Sequence, residues 1–292
     1  MSKTKFILCL MVSGQLACAD ELTDEVMDAY FRRDYSVVER YLSAENNVTA
    51  EWLRIALLAR RADTDDATSA LERFLAANSH SAALHFDSAE LWRVIGKRAG
   101  IFSRGKYYAK VVAAYIKAAE LEPDNALYLK HAATAKSYNG SWFSADVKAQ
   151  RMVIDQLKGK DDRYLLMAEM DYVQNTDDKK QGRQLISQAL QKYDHDLDVL
   201  ERTGQLLWTY RDDEQAQRVF TQACNLPAAH ARLWLSWQSA CFISGKIALD
   251  GVGDRAAGLS SLKRLLSEER VHDDEYAETQ ALHDQLEKKL LN

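Results

Sequence analysis

From Leu197 the chain reads LDVLERTGQLLWTYRDDEQAQRVFTQACNLP, with apolar and small residues at helical spacing up to a break at Arg211-Asp212-Asp213. Aspartate oxygens accept the backbone N–H groups left unpaired where a helix starts, so the break predicts the end of one helix and the beginning of another. Two antiparallel helices and a tight turn then fit into about 34 residues. The segment YYAKVVAAYIKAAELEPDNALYL has the same pattern, with Glu122-Pro123-Asp124-Asn125 as the turn between units. Ala189 stands 34 residues before Ala223, which places a further unit at 163–196. The spacing from Ala118 to Ala189 is 71, two periods and three residues, so a degenerate unit with a small insertion is expected over 126–160. Trp234 and Trp237 open another unit. Residues 22–46 and 49–79 each read as a weaker helix pair, the second with Ala67, Leu71 and Phe74 at matching spacing. The pattern predicts seven helix pairs between residues 20 and 270, then a capping helix near 273–291.

Composition agrees with helix. Only two prolines and 12 glycines occur, and Ala, Leu, Glu, Lys, Gln and Arg outnumber the β-branched residues. The expected fold class is all-α, a superhelical solenoid of helix pairs. Its expected division is 1–19 as a leader, 20–80 as degenerate N-terminal repeats, 81–270 as regular repeats and 271–292 as the cap.

Gly204, Ala216, Phe220 and Ala223 fall at positions 8, 20, 24 and 27 of their unit, and Tyr115 and Ala118 at 24 and 27 of theirs. Trp92-Arg93-Val94-Ile95-Gly96 is similar to the W-x-x-L-G start of a first helix. In these residues the chain resembles the tetratricopeptide repeat, strongly in 92–125 and 163–240. The resemblance implies small residues where two helices approach and an aromatic filling the gap between units. It also implies an interaction module more than a chemistry.

The first 19 residues stand apart. Lys3 and Lys5 precede an apolar run from Phe6 to Val12, and Ala17-Cys18-Ala19 ends it. A basic start, a short apolar stretch and small residues at the cut describe a secretory signal, with cleavage after Ala19 and a periplasmic mature protein. The alternative is a lipid anchor on Cys18. The mature chain would hold 36 basic and 43 acidic residues, net −7, a poor match to nucleic acid or an anionic membrane. No transmembrane segment is expected after signal removal. Cys224 precedes the turn at Leu226-Pro227, and Cys241 lies about 13 residues into the next helix, roughly 20 Å along its axis. A disulfide needs Cα atoms within about 7 Å, so two unpaired, buried thiols are expected.

Chemistry-bearing motifs are scarce. His272 and His283 lie eleven residues apart on the last helical segment, about 16 Å, too far to share a metal. His80 and His85 have no cysteine near them. Asp250-Gly251-Val252-Gly253-Asp254 lacks the lysine and preceding strand of a phosphate loop and reads as a long turn. There is no G-x-S-x-G. The expectation is a non-enzyme with no cofactor and no metal.

Two candidate surfaces remain. Positions 2, 5, 9 and 12 of each repeat line the concave groove, which nominates Arg93, Lys97, Lys130, Thr134, Asp171, Gln174, Glu201 and Gln205, with Trp208 at position 12. This makes the N-terminal half of the groove basic and the C-terminal half acidic. The resemblance links paired lysines with asparagines here to peptide carboxylate clamps; Lys97 and Lys130 are present and the asparagines are not. Three turns read as expanded, 100–108, 138–144 and 244–254. They would place Arg104, Lys106, Tyr107, Tyr108, Tyr138, Asn139, Trp142 and Phe143 along one edge. Trp234, Trp237 and Phe220 are expected in the core. The first functional expectation is a periplasmic scaffold binding a protein or extended peptide. The alternative is an accessory component of a periplasmic solute-uptake system of the tripartite (TRAP) kind. A small-molecule pocket favours the second and an open groove the first.

Overall fold

The structure, a computed structural model, describes residues 24–32, 34–61, 64–100, 103–137, 146–227, 231–267 and 274–291. The expected leader, including Cys18, lies outside them.

Among the described residues the chain forms fifteen helices and no strand. They follow as pairs: α1 (Asp24–Phe31) and α2 (Tyr35–Ala44), α3 (Val48–Arg61) and α4 (Thr64–Ala77), α5 (Ala82–Arg98) and α6 (Arg104–Leu121), α7 (Ala126–Lys136) and α8 (Val147–Leu157), α9 (Asp162–Thr176) and α10 (Lys179–Lys192), α11 (Leu197–Thr209) and α12 (Asp213–Asn225), α13 (Ala231–Leu249) and α14 (Arg255–Ser267). A last helix, α15 (Asp274–Leu291), closes the series. The all-α superhelical fold expected from the periodicity is the fold observed.

Local chemistry sets the helix starts. Ser81, Asn125, Asp146, Asp161, Asp178 and Asp196 each stand before a helix and accept a backbone N–H two or three residues on. Asp212 takes the same place before α12 without a side-chain cap bond. Arg211 reaches that start through a left-handed backbone, φ 63°.

The pairs are held by small-against-large contacts. A Cβ on Gly204 would lie 2.7 Å from the Phe220 ring, and one on Gly96 would lie 2.9 Å from Tyr107 Cβ. Glycine at these two positions is what lets α11 meet α12, and α5 meet α6, across a buried aromatic. Trp234, Trp237 and Phe220 are core, as expected.

Odd-numbered helices form an inner layer, in which α3 meets α5, α7 meets α9, and α9, α11, α13 and α15 follow one another; even-numbered helices pack outside them. The inner layer returns on itself, because α1 packs on α13. Val26, Met27, Tyr30 and Phe31 of α1 are buried, Leu235 of α13 joins the N-terminal apolar cluster, and the Arg32 guanidinium sits 5.4 Å from the centre of the Trp234 ring. The superhelix is therefore closed and not an open trough.

Three expectations are corrected here. Cys224 and Cys241 are buried but joined in a disulfide, with Cα atoms 4.9 Å apart. Cys241 is indeed well inside α13, yet the start of α13 is not beside the end of α12. Trp237 Nε1 donates to Cys224 O at 2.8 Å, so the middle of α13 lies against the last turn of α12. Five residues separate the two helices, a reach of up to about 17 Å, enough to start α13 well beyond α12. Second, residues 244–249 are not turn; α13 runs 19 residues to Leu249. Third, α6 starts at Arg104, so Tyr107 is helical and only 3% exposed, stacked on Trp92 and sharing a 3.1 Å hydrogen bond with Thr68 Oγ1. The last helix begins at Asp274, and His272 lies outside the described residues.

Candidate functional site

Closure leaves two adjoining, partly open cavities on the inner side of the superhelix. The first, about 410 Å³, is lined by α1, α5, α6, α7, α9, α11 and α13. The second, about 460 Å³, lies between α5, α11, α13, α14 and α15. Glu201, Leu235 and Ser236 border both, so the two volumes meet at α11 and α13. Their sizes fall within the range of small-molecule pockets.

The first cavity has an aromatic wall. Phe86 stands 5.4 Å from Tyr115 and 5.0 Å from His131, with Tyr115 4.9 Å from His131. Phe31 and Tyr164 complete the apolar lining. Glu90 stands one turn on from Phe86 on the same face of α5, and Asp87 also lines the cavity. Burial raises the Tyr115 hydroxyl above its ordinary range, and the charge of Glu90 adds to the effect.

Opposite that wall is a polar network built on α9 and α11. The Arg202 guanidinium pairs with Asp171, donates to Gln174 Oε1 at 2.5 Å and Gln205 Oε1 at 3.1 Å, and reaches Met170 O at 3.3 Å. Thr134 on α7 donates to Asp171 Oδ2 at 2.5 Å. Burial pushes the Asp171 carboxyl up, but Arg202 and Lys130 outweigh it and hold the group below the ordinary carboxylate range. Glu201 behaves in the opposite way. It is 9% exposed, accepts from Ser239 Oγ at 2.7 Å and Gln205 Nε2 at 2.5 Å, and burial drives its carboxyl upward against these bonds and the charge of Arg202. Asp198 accepts from Ser236 at 2.7 Å and pairs with Arg163 at 2.9 Å.

The predicted groove residues divide between the cavities. Lys130, Thr134, Asp171, Glu201 and Gln205 line the first; Arg93, Lys97 and Glu201 line the second. Gln174 supports the network through Arg202 and also bonds Thr209. Trp208 borders neither cavity; it is half-buried, with Lys246 5.8 Å from its ring centre. The expected division into a basic and an acidic half is not what the structure has. Asp87 and Glu90 bring acid to the N-terminal side, Glu90 binds Arg93 in a bidentate pair at 2.6 and 2.7 Å, and Arg202 brings a cation to the C-terminal side. On α5, Arg93 and Lys97 line the second cavity, while Phe86, Asp87 and Glu90, earlier on the same helix, line the first.

On the expected edge, Tyr108 is 46% exposed on α6, while Tyr138, Asn139, Trp142 and Phe143 lie outside the described residues. Sequence reasoning missed Arg202, Phe86, His131 and Tyr164, and it placed Tyr115 only at the packing position 24 of its repeat, not on a cavity wall. Phe86, His131 and Tyr164 belong to no motif, and Arg202 sits beside Glu201 where a charged pair reads as solvated surface. Among the described residues no three His, Cys, Asp or Glu side chains gather as a metal site, and no helix is long and apolar enough to cross a membrane.

No protein-family model and no curated protein matches this chain. The tetratricopeptide likeness therefore stands on the repeat positions named above.

Proposed function

We propose that this chain is a non-catalytic binding protein that takes a small organic ligand inside its closed superhelix. The observation that carries the reading is the packing of α1 on α13, which turns a groove into a chamber. An extended peptide needs an open trough, and closure leaves instead two joined cavities of ligand size, the first with an aromatic wall and both with a few placed polar groups. Of the two sequence expectations this favours the solute-uptake component over the peptide scaffold. The proposed setting is periplasmic, following the basic-apolar leader at the N-terminus.

The test is thermal stability of residues 20–292 against a panel of small organic metabolites, with Ser236→Trp alongside. Ser236 borders both cavities, so an indole there obstructs their junction. The expected result is compounds that raise the melting temperature of the native chain and not of the variant. If no compound shifts either chain, and both capture the same protein from an envelope extract, the function moves to the outer surface near Tyr108 and the chamber reading fails.

A further inference from the structure

Charge and aromatic surface in the first cavity point to one class of ligand. Its lining carries five carboxylates, Asp87, Glu90, Asp171, Asp198 and Glu201, against the cations Lys130 and Arg202. Asp171 pairs with Arg202, Glu90 with Arg93, and Asp198 with Arg163. Arg163 is shared with Asp196, so it does not fully neutralise Asp198. Arg202 is committed to Asp171, two glutamine side chains and a backbone carbonyl, and has little left to offer an anionic guest. Glu201 differs from the other acids. It is nine-tenths buried, borders both cavities, and is hydrogen-bonded by the neutral donors Ser239 and Gln205. A buried carboxylate held only by neutral donors bears a desolvation cost that a cation beside it would offset. The aromatic wall of Phe86, Tyr115 and His131 bounds the same space, and ring faces attract alkylammonium groups most strongly where water is excluded.

We infer that the chamber binds an organic cation, an alkylamine or quaternary ammonium compound, whose charged group sits between Glu201 and the aromatic wall around Phe86. This rests on the chamber reading proposed above. An anionic guest would meet an excess of carboxylates. A neutral polyol would add nothing to the charges of Arg202 and Lys130, which offset the burial of Glu201 only in part.

The experiment is calorimetric titration of the native chain with two cations and their isosteres. Putrescine is compared with succinate and butanediol, and choline with dimethylbutanol. Glu201→Gln removes the charge and keeps the shape; Phe86→Leu removes the ring and keeps apolar bulk, with a urea melt of each variant to verify folding. At least one cation is expected to bind the native chain, its isosteres to bind about tenfold more weakly or worse, and each substitution to lower cation affinity about tenfold or more. Failure of both cations overturns the inference, as does cation binding that both substitutions leave unchanged. Binding of succinate or a neutral isostere in their place overturns it while the chamber reading survives. If the metabolite panel also yields nothing, both fall together.

Discussion

The α11–α12 pair and the α1–α13 contact both bury aromatic residues between helices, but they differ in how far apart in the chain their parts lie. Gly204 and Phe220 are 16 residues apart, and the glycine exists where it does because the ring occupies the space a Cβ would need. Arg32 and Trp234 are 202 residues apart and meet only because the eleven intervening helices, α2 to α12, rotate by the right total. In a solenoid each repeat contributes a small rotation, and the sum sets the overall path. Regular packing is therefore a local property, whereas closure is a cumulative one. The proposed function depends on the cumulative one, since the chamber exists only where the ends meet.

This contrast explains what the sequence makes legible. Helix spacing, aspartate caps and the Gly204–Phe220 complementarity are each encoded within one unit, and they lead to the right fold class. Inner-face positions such as Lys130, Thr134, Asp171, Glu201 and Gln205 follow from the same local phase, and they do face the interior. The disulfide was missed because it depends on where α13 begins relative to α12, a matter of a five-residue connection and not of helix periodicity. Phe31 and Leu235 carry no sign in the sequence that they border one cavity, because their helices belong to opposite ends of the chain.

The sharpest way to test the local half of the comparison is Phe220→Ala. The ring is fully buried between α11 and α12, so its loss should cost about 3–5 kcal/mol, read as a lower urea midpoint by circular dichroism. A cost below about 1 kcal/mol would mean that Gly204 and its neighbours collapse into the space, and that local packing is not what holds the regular stack.

The junction between the two regimes is the disulfide, which ties the last turn of the regular α12 to the closing helix α13. Its partners are 17 residues apart, and a loop of that length stabilises by about 3 kcal/mol through the unfolded chain. Replacing both cysteines with serine should lower the melting temperature, and reductant should lower that of the native chain but not of the variant. The Stokes radius of the folded variant should stay unchanged, because Trp237 can still donate to the backbone carbonyl at position 224 and α13 still packs on α11. An expanded variant would show instead that the bond, and not packing, positions α13 for closure.

The smallest expected effect bears directly on closure. α1 has eight residues, too few to persist as a helix without tertiary contacts, so its order reports on the contact with α13. Arg32→Ala removes a guanidinium from the Trp234 ring, an interaction worth about 0.5–2 kcal/mol. That loss should leave the global urea midpoint almost unchanged, because the regular stack is elsewhere. It should lower hydrogen-exchange protection of α1 amides by about tenfold, since local opening depends on local contacts. Arg32, the residue after α1, also pairs with Asp28 on that helix at 2.8 Å, so Asp28→Asn serves as the control. Loss of protection in Arg32→Ala but not in Asp28→Asn assigns the effect to Trp234 and therefore to closure. Equal loss in both assigns it to the Arg32–Asp28 pair. Unchanged protection in both places closure on the buried Val26, Met27, Tyr30 and Phe31 alone, and the chamber would then be sealed by apolar burial with the cation–aromatic contact as a bystander.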